Sequence, residues 1–92
     1  MSDMSFDIIN NGKKITSIQA NNFKEAMKEF AENYDMPDST IGEETNDDIF
    51  HIVHGETDIE FRYAPMNSPM LEYTLGGIND FIKINKTGYK KV

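Results

Sequence analysis

The sequence has no cysteine, no tryptophan, only three prolines and no long apolar run. The absence of cysteine excludes a disulfide framework, a thiolate nucleophile and a zinc-thiolate site, and it suits a reducing compartment. No segment approaches the run of about eighteen apolar residues that a membrane-spanning helix needs. Residues 1–5 show neither the positive charge nor the apolar stretch of a signal peptide. We therefore expect a cytoplasmic protein that does not enter membranes.

The chain is also short, and 92 residues predict one domain spanning residues 1–92, because chains divide into domains only well above this length. An apolar fraction of 38% and ten aromatic side chains, six Phe and four Tyr, predict that it folds. A domain of this size buries only roughly 60–65% of the surface of its unfolded chain. Its stability is therefore small, and we expect a homodimer, since association would add to it.

Basic residues are missing from the middle of the chain. The formal net charge is −7, and the segment from Glu29 to Glu60 holds eleven acidic residues and no Lys or Arg. Concentrating charge of one sign causes self-repulsion in the folded state. The run therefore indicates either a positively charged partner or an acidic surface that serves solubility alone. Direct nucleic-acid binding is disfavoured, because the lysines within residues 83–91 form only a short cluster on a negative molecule.

Two β-hairpins are predicted from turn chemistry and alternation. Residues 5–9 and 14–18 flank Asn11-Gly12, a pair that supplies the positive backbone angles of a tight turn. Residues 49–53 and 58–63 flank the turn-like residues 54–57 in the same way. The second strand of this hairpin is expected to bury one face and to expose a charged one: Ile59, Phe61 and Tyr63 on the first, and Asp58, Glu60 and Arg62 on the second.

One amphipathic helix is predicted for residues 23–34, with Asn21 or Asn22 as its N-cap. At about 100° per residue, one narrow arc holds the expected core residues Phe23, Met27, Phe30 and Tyr34, with Ala26 and Ala31 at its borders. Three carboxylates lie on the opposite side, spaced roughly 4.5–6 Å apart along the axis: Glu25, Glu29 and Glu32. The helix is therefore expected to pack one face on the core and to present an acidic line to solvent.

The remaining segments complete the fold prediction. Residues 35–47 contain Pro37 and Gly42 among polar and acidic residues, which predicts a loop, with or without a short turn of helix. Residues 70–75 predict a strand that ends at Gly76-Gly77. The pattern around and after the glycines is ambiguous: Leu75, Ile78, Phe81 and Ile82 fit a short helix, whereas residues 81–85 fit a strand. The expected fold class is α+β: an antiparallel sheet of β-hairpins with one main amphipathic helix, in the order ββαββ followed by short C-terminal elements.

Catalytic and metal-binding patterns are weak. His51 and His54 are three residues apart on a predicted strand, so they point to opposite faces and share a metal ion poorly. The acids of residues 43–48 lack the ligand spacing and central glycine of an EF-hand loop. Acid–base catalysis needs carboxylates in a pocket, whereas acids on a loop or a helix surface are ordinarily solvated. We therefore expect no enzymatic activity, no cofactor and no metal site.

The acidic pattern suggests a surface that imitates DNA. Duplex DNA carries one phosphate charge per ~1.7 Å of axis, and proteins bind it by neutralising those charges with Lys and Arg. Carboxylates on regular elements could occupy the same cleft. The predicted contact residues are Glu25, Glu29, Glu32, Asp35, Asp38, Glu43, Glu44, Asp47, Asp48, Glu56, Asp58 and Glu60. The alternative is a small acidic adaptor that binds through a hairpin edge or an apolar patch, with candidate contacts Tyr63, Tyr73 and Met70.

The Asn-, Asp- and Lys-rich composition, the length and the acidic middle form one pattern. In this pattern, over its whole length, the chain resembles the anti-restriction nuclease (Arn) family of T-even bacteriophages. The resemblance implies a homodimeric DNA mimic that protects phage DNA in the host cytoplasm by blocking McrBC, a modification-dependent restriction nuclease. It implies no catalytic residue. The basic C-terminal segment departs from a uniformly acidic mimic through Lys83, Lys86, Lys90 and Lys91.

Overall fold

The computed structural model describes residues 4–34, 49–64 and 70–85. In these ranges the elements are β1 (Met4–Asn10), β2 (Lys13–Ala20), α1 (Phe23–Asn33), β3 (Phe50–His54), β4 (Thr57–Tyr63), β5 (Met70–Leu75) and β6 (Ile78–Lys83). The strands form one antiparallel sheet in the order β2-β1-β3-β4-β5-β6. Within the described chain, β2 and β6 are therefore the edge strands.

The predicted α+β class, the antiparallel sheet and the single main helix are confirmed in this part of the chain. The expected ββαββ order was incomplete, because β5 and β6 form a third hairpin that extends the same sheet. Residues 78–83 adopt a strand, which decides between the helix and the strand that the pattern allowed. The reason is strand pairing: residues of β6 pair with β5 across the Gly76-Gly77 turn, and the periodicity of one short segment does not reveal that pairing.

Turn geometry explains the first hairpin. Asn11 and Gly12 both have positive φ angles, 53° and 78°, and this is the backbone twist that joins right-twisted strands through two residues. The register shifts along the hairpin, since Ile8 pairs with Thr16 and Ile9 with Lys14, which leaves Ile15 as the extra residue of a β-bulge. The bulge divides β2 into a short basic start and a regular run of residues 16–20.

The helix begins at an asparagine cap and packs on one face of the sheet, which we call the inner face. Asn22 Oδ1 accepts the backbone N–H of Glu25 at 2.9 Å, and Asn22 rather than Asn21 is the N-cap. The buried helix residues are Ala26, Met27, Phe30 and Ala31, and Phe23 packs partly buried against the core. Tyr34 was expected in the core but is 39% exposed. It follows the last helical residue with an extended backbone, and its ring lies at the edge of the core, stacked on Phe30 and edge-on to Phe50.

The strands bury their inner face and leave the other one, the outer face, to polar side chains. The inner face carries Phe6, Ile8, Phe50, Ile52, Ile59, Phe61, Tyr63, Leu71 and Tyr73. This confirms the predicted alternation in β4. It also corrects two candidate contacts of the adaptor hypothesis, because Tyr63 and Tyr73 are only 0% and 3% exposed and cannot meet a partner. Met70 is half-buried.

Candidate carboxylate surfaces

The first candidate surface lies on the solvent side of α1 and consists of Glu25, Glu29 and Glu32, which we call the helix carboxylates. Glu25 accepts a 3.4 Å hydrogen bond from the side chain of Asn21 next to the N-cap. Glu32 is half-buried and its Oε2 accepts the backbone N–H of Asn85 at 2.6 Å. Glu29 is exposed, and its carboxylate has no ion pair or hydrogen bond with another described residue. Two of the three acids therefore also hold local structure.

Two lysines share the solvent side of the same helix. Lys24 and Lys28 are both exposed, and Lys28 lies three residues after Glu25 and four before Glu32, so all three side chains are neighbours on the helix surface. Lys24 Nζ also lies 6.0 Å from the ring centroid of Tyr73. Three acids and two lysines give this surface a formal charge of −3 + 2 = −1. The helix by itself is therefore a mixed surface rather than a pure line of negative charge.

The second candidate surface lies on the outer face of the sheet. It contains the predicted Asp58 and Glu60 and two further acids, Asp7 and Glu72, and we call these four the sheet carboxylates. The register places them on the same face: Asp7 and Asp58 flank Val53 on either side, while Glu60 pairs with Thr74, two residues from Glu72. Asp7 and Glu72 lie outside the cation-free segment, and only the strand register brings them to it.

Most of the sheet carboxylates have partners. Asp58 Oδ1 lies 2.8 Å from His51 Nδ1. Glu72 Oε1 lies 3.6 Å from Arg62 Nε, and its Oε2 accepts a 3.0 Å hydrogen bond from Asn79. Among the described residues, Glu60 has neither an ion pair nor a side-chain hydrogen bond. Basic side chains are therefore interleaved with the acids on this face.

The neighbours of Asp7 lower its pKa. Its Oδ1 accepts a 2.7 Å hydrogen bond from the Ser17 hydroxyl and lies 3.5 Å from Lys14 Nζ. The hydrogen bond from Ser17, helped by the nearby Lys14 charge, lowers the pKa of Asp7 below its ordinary value. Asp7 is therefore a firmly ionised part of the sheet surface at neutral pH.

The helix carboxylates and the sheet carboxylates lie on opposite sides of the molecule. Side chains alternate along a strand, so Asp58 and Glu60 must point away from the helix when Ile59 and Phe61 are buried beneath it. Glu56 is exposed in the turn between β3 and β4 and belongs to neither set. The six remaining predicted contacts lie outside the described residues: Asp35, Asp38, Glu43, Glu44, Asp47 and Asp48.

The two histidines also point to opposite sides. His51 is on the outer face with Asp58, whereas the His54 ring lies 5.1 Å from the ring of Phe6 and its Nδ1 lies 2.9 Å from the carbonyl oxygen of Ser5. In residues 4–34, 49–64 and 70–85, no group of three or more His, Asp or Glu side chains is placed to hold a metal ion. In the same ranges no helix is long and apolar enough to cross a membrane.

Comparisons with protein families, with curated proteins and with solved structures each found no match to this chain. The fold and the surface therefore define its class. In its described residues it is a small α+β protein in which one helix covers the inner face of an antiparallel sheet, and carboxylates lie on the solvent side of the helix and on the outer face of the sheet.

Proposed function

We propose that this protein binds the positively charged DNA-binding surface of another protein and competes with DNA for it. The observation that carries the proposal is the run of eleven acids without a Lys or Arg between Glu29 and Glu60. Its described members are all exposed or half-buried: Glu29, Glu32, Glu56, Asp58 and Glu60. Carboxylates placed in a basic cleft neutralise the Lys and Arg side chains that would otherwise contact phosphates.

The helix side supplies the contact in this proposal. Each surface also holds two basic residues, Lys24 and Lys28 on the helix side and Lys14 and Arg62 among the sheet carboxylates. The helix side is chosen because residues 35–48, which follow α1 closely in the sequence, add six acids and no basic residue. The attraction acts at long range, so it speeds encounter with a basic partner and weakens as salt rises. The resemblance to the Arn family supports McrBC as the partner, a homodimer as the active form, and the cytoplasm of an infected host cell as the location.

A competition experiment tests the proposal. McrBC is bound to a fluorescently labelled duplex that carries its recognition sites, and release of the duplex by the protein is followed as fluorescence anisotropy. The test variant replaces the helix carboxylates by glutamine (Glu25→Gln, Glu29→Gln and Glu32→Gln). The matched control removes the same number of charges from three described acids away from the helix, through Glu56→Gln, Asp58→Asn and Glu60→Gln. Circular dichroism checks that both variants fold.

We expect the test variant to need at least about tenfold more protein for half-displacement, which corresponds to about 1.4 kcal/mol. The control is expected to change the value by less than about threefold. Direct binding of the unmodified protein to McrBC, measured without DNA, should weaken steeply as the salt concentration rises. Binding to McrBC without release of DNA would refute mimicry. Equal losses in the two variants would refute the assignment to the helix side. Sedimentation equilibrium of the purified protein tests the dimer.

One observation favours the adaptor as a second candidate function. Leu75 and Ile78 form a cross-strand pair beside the Gly76-Gly77 turn, and they are 49% and 72% exposed. An apolar pair at a hairpin tip is a surface that a partner could cover. For an adaptor, the affinity for the partner protein would not change with the salt concentration, and it would fall when Ile78 is replaced by Ser. Both results differ from those expected for the DNA mimic.

A further inference from the structure

A groove of about 590 Å³ runs between the edge strand β2 and the helix α1. Residues 15–19 of β2 line one side, and residues of the second half of α1 line the other. Successive side chains of a strand point to opposite faces of the sheet. A strand can therefore present five consecutive residues to one groove only along its edge, so the groove follows the open side of β2.

The open side of β2 has backbone groups available for pairing. In the described chain β2 is bonded to β1 alone, and in an antiparallel pair alternate residues turn their N–H and C=O groups away from the neighbouring strand. The bulge at Ile15 interrupts this pattern near the start of the strand. Residues 16–19 beyond it keep a regular register with β1 and form a short template for one more strand.

The side chains around this template give it chemical character. Ile15 and Tyr34 line the groove and are 37% and 39% exposed, so they are two of the few large apolar side chains that reach the described surface. Phe30 and Ile18 continue the apolar lining. Glu29 is the charged side chain of this lining, and no described cation shares the groove with it. The groove therefore combines apolar contacts with one unneutralised negative charge.

We propose that this groove binds an extended peptide segment of a partner protein, which adds a strand to β2. The segment places an aromatic or aliphatic side chain against Ile15 and Tyr34 and a Lys or Arg side chain on Glu29. Backbone hydrogen bonds supply affinity in this mode of recognition, and side chains at alternate positions supply specificity. The proposal goes beyond competition with DNA, because a peptide can occupy the groove whether or not DNA is displaced.

Synthetic peptides test the proposal on the full chain. The probe is a fluorescein-labelled eight-residue peptide with Thr at every second position. One Lys and one Phe stand two residues apart, so that both side chains project to the same side of the extended peptide. Companion peptides carry Glu in place of Lys, or Ser in place of Phe. Two further peptides are N-methylated at alternate amides, one for each side of an extended strand. Binding is measured as anisotropy up to 1 mM peptide, and the contact is mapped by amide chemical shifts.

We expect the Lys- and Phe-containing peptide to bind at least about tenfold more tightly than either companion. Only one of the two N-methylated peptides should lose binding, since a strand added to an edge uses amides on one side alone. The shifted amides should include Ser17 and Ile18. Glu29→Lys should reverse the preference between the Lys and Glu peptides, and Ile15→Ser should weaken binding about tenfold. Lys28→Glu, a charge change on the same helix outside the groove lining, should keep affinity within about twofold.

Several results would overturn the proposal. Absence of binding by every peptide at 1 mM would do so, and equal tolerance of both N-methylation patterns would exclude strand addition. Slow hydrogen exchange of the outward β2 amides in the free monomer would mean that the chain itself fills the groove. Concentration-dependent shifts confined to β2 would assign the edge to a second copy. Failure of this proposal remains distinct from failure of DNA mimicry, because Ile15→Ser alters only the groove, whereas a helix variant limited to Glu25→Gln and Glu32→Gln leaves Glu29 in the groove unchanged.

Discussion

Phe30 fixes the helix to the sheet, and its removal gives a quantitative test of the packing. It is 3% exposed, and its ring centroid lies 5.4 Å from that of Phe50 and 6.1 Å from that of Phe61. Truncation of a buried Phe to Ala costs about 3–5 kcal/mol, and loss of three aromatic pairs, with Tyr34, Phe50 and Phe61, places this site in the upper half of that range. We therefore expect Phe30→Ala to lower the free energy of unfolding by about 4 kcal/mol.

The expected loss is large for this chain, since 92 residues correspond to a total stability of roughly 5–14 kcal/mol. With a slope of about 1.5 kcal/mol per molar urea, the unfolding midpoint should fall by about 2.5–3 M. Urea titration followed by circular dichroism measures this shift. If the alanine variant is unfolded without urea, Phe30→Leu, which should lose about 1–2 kcal/mol, brings the effect into range.

Phe81→Ala provides the matched control. Phe81 lies on the outer face opposite Glu72 and is 39% exposed, so its truncation should cost less than about 1.5 kcal/mol. A cost below about 2 kcal/mol for Phe30→Ala, or one no larger than that of the control, would refute the reasoning. It would mean that the helix is not held by this aromatic cluster.

Two further predictions concern single groups. Asn22→Ala should lower the free energy of unfolding, measured by thermal unfolding, by about 1 kcal/mol, because it leaves the N–H of Glu25 without its cap. Asn22→Asp should retain most of the stability, because its carboxylate can accept the same N–H. Equal losses in the two variants would contradict the capping role. The N–H of Phe81 and the Tyr73 hydroxyl donate hydrogen bonds to Asp80 and lower its pKa. The ionised form of Asp80 therefore stabilises the fold above about pH 4. This contribution is lost as the pH falls through the lower pKa of the folded state. Asp80→Asn should therefore flatten the acid limb of a plot of stability against pH, and an unchanged limb would contradict this assignment.

Local chemistry predicted much of the fold. Asn11-Gly12 fixed the first turn, because few residue pairs accept two positive φ angles. The alternation in residues 58–63 identified the buried face of β4. The third hairpin was missed as a unit, since the short segment after Gly77 carries no period that separates a helix from a strand. Tyr34 was assigned to the core because a periodic pattern does not reveal where the helix stops.

The candidate site was predictable as composition but not as geometry. A count along the chain reveals the cation-free run from Glu29 to Glu60. The same count cannot show that Asp58 and Glu60 face away from α1. A count of charges also cannot show that Arg62 Nε lies 3.6 Å from Glu72 Oε1, because strand register brings together residues that are distant in sequence.

The sequence by itself therefore determined which residues alternate, where tight turns form, and that negative charge is concentrated in the middle of the chain. These properties depend on neighbouring residues and on composition. Only the tertiary structure decided that the helix carboxylates and the sheet carboxylates lie on opposite sides, and that a strand forming an open edge of the described sheet runs beside Glu29. The physical reason is that sheet order and helix packing are set by burial of the whole apolar face, and no local pattern encodes which polar groups that burial places together.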